Sequence, residues 1–116
     1  MIRRASECSV EYKEDMREGN GTIELTSLIG SPAELYEKGR LFSKITVKPG
    51  CSIGYHVHEG ESELFFFIRG NGIYSDNGTP VKVSAGDVAI CPAGEGHSIS
   101  NESDEVLEMV ALIVYA

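Results

Sequence analysis

Residues 50–63 read Gly50-Cys51-Ser52-Ile53-Gly54-Tyr55-His56-Val57-His58-Glu59-Gly60-Glu61-Ser62-Glu63. In an extended chain, residues i and i+2 point to the same face. His56 and His58 therefore aim at one side of a sheet. Glu63 can return on the neighbouring strand after a short turn, and His97 can close the group from a more distant strand. Three neutral nitrogens and one anionic oxygen form a borderline donor set. It suits a divalent first-row metal with positions left for water or a ligand.

The surrounding residues widen the pattern. Residues 50–70 follow Gly-x5-His-x-His-x4-Glu-x6-Gly, and residues 86–101 follow Gly-x5-Pro-x-Gly-x2-His-x3-Asn. All 3 histidines of the chain fall inside these two stretches. A His-x-His pair taken alone is more often a solvent-facing pair on a strand. Glu63 alone would be a solvated turn charge like Glu59 and Glu61. However, it opens the apolar run Leu64-Phe65-Phe66-Phe67-Ile68, where an unpaired carboxylate is costly.

The two patterns resemble the paired motifs of the cupin superfamily, with every signature position filled. The resemblance implies an all-β double-stranded β-helix, a jelly-roll β-barrel, spanning residues 1–116 as one domain. It also implies one divalent metal ion per subunit on His56, His58, Glu63 and His97. Manganese is the first expectation, with iron, nickel, zinc or cobalt as alternatives. At the metal ligands the chain is similar to oxalate decarboxylases and germin-type oxalate oxidases. Beside them it departs from those enzymes. Ile53 stands three positions before His56, where they carry an arginine or asparagine that contacts oxalate. Their lid glutamate beyond the last histidine ligand has no counterpart before Ala116.

Fold does not fix function, so three readings stay open. The first is a metal-dependent enzyme on a small carboxylate or other oxygenated small molecule, of decarboxylase, dioxygenase or isomerase type. The second is a metal-containing small-molecule binding module. The third is a structural cupin without turnover. The sequence shows no general base beyond the ligands, and the catalytic residues stay unassigned. Alternation from Glu63 and His97 places Phe65, Phe67 and Ile99 on the inner face, and with Ile90 they form the expected pocket wall. Arg69 shares that parity and is a candidate for holding an anion. Of Ser43 and Lys44, at most one faces the pocket. Cys91 is expected to be a small buried hydrophobe, with a thiol near the metal as the alternative. Asn101 is expected to bond nearby backbone.

The rest of the chain bounds the class. At 116 residues with 41% hydrophobic and 24% charged side chains, it can bury a core without staples. A net charge of −8 argues against nucleic acid or an anionic membrane as a partner. No apolar run approaches ~20 residues, and Met1–Glu7 has arginines without an apolar stretch behind them. A cytoplasmic location is expected. An odd number of scattered cysteines, 3, fits a reducing compartment.

Local signals fill in the elements. Residues 1–20 are polar and charged, ending at the turn signal Asn20-Gly21. Thr22 to Leu28 alternates as a strand. Ser31-Pro32-Ala33-Glu34 reads as a capping box opening one short helix over Pro32 to Lys38, stopped by Gly39. Arg40 to Lys48, Glu63 to Arg69, Val81 to Val83, Asp87 to Cys91, His97 to Asn101 and Val106 to Tyr115 read as strands. Two of these, Glu63 to Arg69 and Val106 to Tyr115, are apolar on both faces. One barrel covers only one face of each, so a homodimer is expected, with residues 22–28 available to extend a partner's sheet.

Overall fold

A computed structural model describes residues 1–116. Ten strands form two antiparallel sheets. They are β1 (Val10–Glu14), β2 (Thr22–Ser27), β3 (Gly39–Val47), β4 (Ser52–Val57), β5 (Glu61–Arg69), β6 (Asn71–Asp76), β7 (Thr79–Ser84), β8 (Val88–Cys91), β9 (Gly96–Ser100) and β10 (Leu107–Tyr115). One sheet runs β1-β2-β3-β10-β5-β8 and the other β4-β9-β6-β7. This is the jelly roll that the resemblance implies, and it fits the many short strands and turns of the sequence. No helix is long and apolar enough to cross a membrane.

The core lies between the sheets, and its residues follow strand parity. Ile45 and Val47 of β3, Phe65 and Phe67 of β5, and Leu107, Met109 and Ala111 of β10 face in. From the other sheet come Ile53, Tyr74, Val83 and Ile99. Asn101 works as a buried clasp. Its amide donates to the carbonyls of Val47 (2.8 Å) and Glu105 (2.7 Å), and its oxygen accepts from the Ser103 backbone and hydroxyl. The bonds tie the end of β3 to the connection before β10.

Several expectations are corrected. The helix over Pro32 to Lys38 is a single 3-10 turn, Pro32–Leu35. Tyr36 and Glu37 take left-handed backbone (φ 53° and 58°), which ends it before Gly39. Ser31 makes no side-chain cap, and the Glu34 carboxylate is taken by Arg3 and the Gly30 amide. Residues 10–14, inside the stretch read as polar, form β1, where Val10 and Tyr12 alternate with Glu11 and Lys13. The strand is exposed along its whole length, so this alternation marks no buried face. Strand β2 pairs with β3 of its own chain, Ile23 opposite Val47 and Leu25 opposite Ile45, rather than reaching for a partner.

Two irregularities redirect side chains. In β5 the register against β10 shifts between Glu108 and Met109, so Phe67 and Arg69 meet successive residues of β10. The extra residue turns Arg69 outward, where it pairs with Glu108 at 3.1 Å. It is therefore not an inward anion ligand. In β4 the register against β9 shifts between Ile53 and His56. A bulge reverses parity, so Ile53 and His56 both face the interior side despite their odd spacing.

The bulge also accepts a second segment. The turn Asp15–Gly19 crosses from β1 and lies directly on β4. Asn20 and Ser52 exchange backbone hydrogen bonds of 3.3 and 2.8 Å, and the Asn20 amide reaches the Gly50 carbonyl. Close approach is possible because Gly19 and Gly54 face each other. A Cβ on Gly54 would collide with the Arg17 carbonyl, and one on Gly19 with the Ser52 carbonyl. Replacing Gly54 by alanine is expected to cost about 1–3 kcal/mol by overpacking. The loss should appear as a lower urea midpoint at unchanged slope. An unchanged midpoint would mean that the turn can lift from β4 at no cost.

Candidate metal centre

Four side chains converge at the inner face of the barrel. His56 belongs to β4, His58 follows its end, Glu63 lies on β5, and His97 on β9. Register explains the convergence: His56 sits opposite His97 across the β4–β9 pair. His58 is fixed by backbone bonds to the Pro92–Glu95 turn, donating to Glu95 (3.0 Å) and accepting from Gly94 (2.7 Å). One donor atom from each of the four lies within 4.8 Å of the others. Glu63 Oε1 is 3.0 Å from both His58 Nε2 and His97 Nε2, and these two nitrogens are 3.1 Å apart.

The other ring nitrogens decide what the group can hold. His56 Nδ1 is 2.8 Å from the Gly54 carbonyl, His58 Nδ1 is 3.0 Å from a Glu61 carboxylate oxygen, and His97 Nδ1 is 2.9 Å from the Tyr74 hydroxyl. A carbonyl and a carboxylate only accept, and a phenol can accept. Each imidazole can therefore carry its proton on Nδ1 and present a bare Nε2 lone pair inward. Metal-ligating histidines are held in this way, with the outer nitrogen donating to an acceptor. The residues fit a divalent ion on chemical grounds. A carboxylate and three lone pairs face one point in a buried site, where they repel each other unless a cation sits among them.

Without a cation among them, protons on the imidazoles take up part of the charge of Glu63. Burial pushes the Glu63 carboxyl up, but hydrogen bonds from His58 and His97 outweigh it and hold it below the usual range. His58 is raised, first by its bond to Glu63 and against burial, with Glu61 adding to the rise. His56 is lowered, chiefly by burial. Glu61 is held down to about 2, first by Arg40, which grips it with two bonds of 2.7 Å, and burial opposes this. The anion that orients His58 thus stays ionised across the neutral range. Burial also pushes the Tyr74 phenol up, so it remains a neutral hydroxyl beside His97.

Glu61 and Tyr74 are the site residues that sequence reading passes over. Glu61 reads as a turn charge, although its place three residues after His58 is the signal that could have found it. Tyr74 has no local signal, because its reach to His97 depends on the β6–β9 register. Cys91 lies opposite Glu63 on β8, inward and buried. Burial raises its thiol to about 11, and Sγ donates to the Glu95 carbonyl. It stays a protonated, apolar neighbour of the cluster.

A cavity of about 860 Å³ opens on three of the four side chains, His56, His58 and Glu63. Its inner wall is Leu41, Ser43, Ile45, Ile53 and Phe65, and its outer wall is residues 9–11 and 13–17. Of the expected wall residues, Phe65 is present, stacked on the His97 ring at 5.1 Å. Phe67 and Ile99 face in but lie deeper in the core, away from the cavity. Ile90 is a correction. It pairs with Leu64 on the outward parity of β8 and is 56% exposed. Ser43 faces the cavity, and Lys44 points out towards Glu108.

With this geometry in place, relatives become informative. The family model described as cupin domain matches residues 43–115. The chain belongs to the cupin family. It is 40% identical over 114 residues to an oxalate-binding protein of Thermotoga maritima, covering 98% of this chain and 93% of that one. The crystal structure of a predicted oxalate decarboxylase from Thermotoga maritima superposes with a TM-score of 0.95 at 40% identity, over 100% of both chains. The cupin domain of Cnp3 from Schizosaccharomyces pombe reaches a TM-score of 0.73 at 17% identity, over 93% of this chain and 70% of that one, and so shares the fold alone.

Tyr74→Phe isolates the outer bond to His97 without changing the core volume. A divalent ion at this cluster should then be held about 10–100-fold more weakly, measured by competition with a chelator, with β-sheet circular dichroism unchanged. Equal affinity in the variant would mean that the phenol does not orient His97.

Proposed function

We propose that this cupin holds one divalent ion per subunit on His56, His58, Glu63 and His97 and uses it to bind a small carboxylate in the cavity. The observation that carries this reading is the set of three Nδ1 acceptors, Gly54 carbonyl, Glu61 and Tyr74, which turn all three Nε2 lone pairs inward. An ion held by these four donors would keep positions free for a chelating carboxylate, whose charge it would neutralise as a Lewis acid. The oxalate-binding relative supports a small carboxylate as the ligand class.

Manganese is the proposed ion. The donor set is imidazole and carboxylate, and the one nearby thiol is protonated and bonded elsewhere. A reducing, cytoplasmic setting accords with three free cysteines. Binding without turnover is favoured over an enzyme by the inner wall. Apart from the cluster itself, Leu41, Ser43, Ile45, Ile53 and Phe65 supply no proton-transferring group. The groups that could transfer protons, Glu11, Glu14 and Asp15, stand on the exposed outer wall.

Elemental analysis and calorimetry test the reading. Protein loaded with manganese should bind oxalate, and chelator-stripped protein should not. A double variant, His56→Ala with His58→Ala, should lose the metal and the binding together. Full metal content in that variant, or oxalate binding that ignores metal removal, would refute the assignment. Release of carbon dioxide or peroxide from oxalate would move the reading from binding to turnover.

The protein is also proposed to be a homodimer. Phe66 (48% exposed), Ile68 (41%), Val88 (61%) and Ile90 (56%) form one apolar patch on the outer face of β5 and β8. Val110 and Leu112 of the adjoining β10 extend it. A continuous apolar sheet face of this kind marks an interface. Light scattering should give twice the 12.6 kDa chain mass, and Ile90→Lys should shift it towards the single chain. A monomer mass for the unaltered protein would overturn the dimer.

A further inference from the structure

The Asp15–Gly19 turn brings a cation to the metal cavity. Arg17 lines that cavity together with His56, His58 and Glu63. Its carbonyl rests on Gly54, two residues before His56. Its charge reaches the cluster closely enough to help lower the basicity of His56.

Arg17 differs from the other cations of the cavity wall. Arg40 is committed to Glu61 through two bonds of 2.7 Å, and Lys13 is paired with Glu11 at 3.4 Å. Arg17 has no ion pair and donates no side-chain hydrogen bond. The wall around the cluster offers no substitute. Ile53, which precedes His56 on β4, is apolar and buried. Glu14 and Asp15 on the same wall would repel an entering anion, so its capture calls for an unpaired cation beside them.

The backbone that carries Arg17 is unusual. Asp15, Arg17 and Glu18 all have left-handed φ, at 49°, 55° and 63°. Non-glycine residues rarely occupy this region, and such strain gathers at ligand clamps, where surrounding structure enforces it. Here the enforcing contacts are the Gly19–Gly54 apposition and the Asn20–Ser52 ladder.

We infer that Arg17 recognises the outer oxygens of the bound carboxylate and makes the site selective for a two-carbon dicarboxylate. This rests on carboxylate binding at the metal cluster. A two-carbon dicarboxylate chelates an ion through one oxygen of each carboxylate. Its two remaining oxygens lie along the opposite edge, and a guanidinium presents paired donors at matching spacing. A monocarboxylate that uses its oxygens on the ion has none left for Arg17. Arg17 is thus the specificity-determining residue of the cavity, carried by the N-terminal turn rather than by the barrel.

The test compares manganese-loaded wild type with Arg17→Gln and Arg17→Asn. Asparagine suits left-handed backbone and so separates the lost charge from lost local structure. Oxalate and acetate are titrated by calorimetry, with metal content and thermal midpoint recorded for each protein. Both variants should lose oxalate affinity by roughly tenfold or more, the loss of a charge-assisted bond. Acetate affinity and metal content should be unchanged. Oxalate affinity within twofold of wild type in both variants would overturn the role of Arg17 and leave the metal-site reading intact. Loss of metal in both variants would show Arg17 to be structural and overturn it as well. Failure of loaded wild type to bind oxalate would overturn the carboxylate reading and this inference with it.

Discussion

A carboxylate buried among three imidazoles is the constraint around which this molecule is organised. Glu63 is 6% exposed, and its nearest polar neighbours are the Nε2 atoms of His58 and His97. An ionised carboxylate in such a place is expensive unless positive charge compensates it. A proton on the histidines can do so in part, as the raised pKa of His58 records. A divalent ion would satisfy all four side chains at once. The outer bonds to Gly54, Glu61 and Tyr74 matter because they settle which nitrogen faces in before any ion arrives. The site is then preorganised, and little conformational entropy remains to be lost on binding.

The barrel supplies the positions, and its irregularities supply the exceptions. Strand β5 is the hinge of the arrangement, since it carries Glu61, Glu63 and Phe65 inward and Phe66 and Ile68 outward. The same alternation that lines the cavity with Glu63 and Phe65 therefore produces the apolar outer patch. The bulge in β4 brings Ile53 and His56 to one side and leaves Gly54 as a flat seat for the N-terminal turn. The bulge in β5 removes Arg69 from the interior. Without these two departures, strict alternation would bury a cation at the base of the barrel and expose Ile53.

What could be read from the chain, and what could not, follows from the range of the interactions. The ligand set lay in fixed local spacing, and a barrel of short strands in turn residues and short apolar runs, which the resemblance narrows to a jelly roll. Those signals act within a few residues of themselves. Tyr74, the outward turn of Ile90 and the reversed parity of Arg69 depend on registers between strands distant in sequence. A one-residue slip flips every side chain, and no local pattern reports it. Strand β1 was hidden for a different reason. It is held by backbone pairing to β2 at an exposed edge, and the brief alternation of Val10 and Tyr12 with charged residues marks no buried face and sits in a stretch dominated by charge. The short helix failed on backbone geometry, because Tyr36 and Glu37 leave the helical region before a full turn is complete.

The division of labour between barrel and N-terminal segment accounts for the asymmetry of the cavity. Its inner wall is apolar and close-packed, built by β3, β4 and β5, and has no freedom to change charge without loss of core. Its outer wall is a strand and a turn held mainly by backbone bonds, two apposed glycines and the half-buried Met16, with its charged side chains exposed to solvent. A charge placed there costs little, because water still reaches it, and it can be exchanged without disturbing Glu63 or the histidines. The barrel would therefore fix the chemistry through the proposed ion, and the turn over β4 would govern which anions reach it. Gly19 and Gly54 join the two: their missing side chains let the variable wall rest directly against the strand that carries His56.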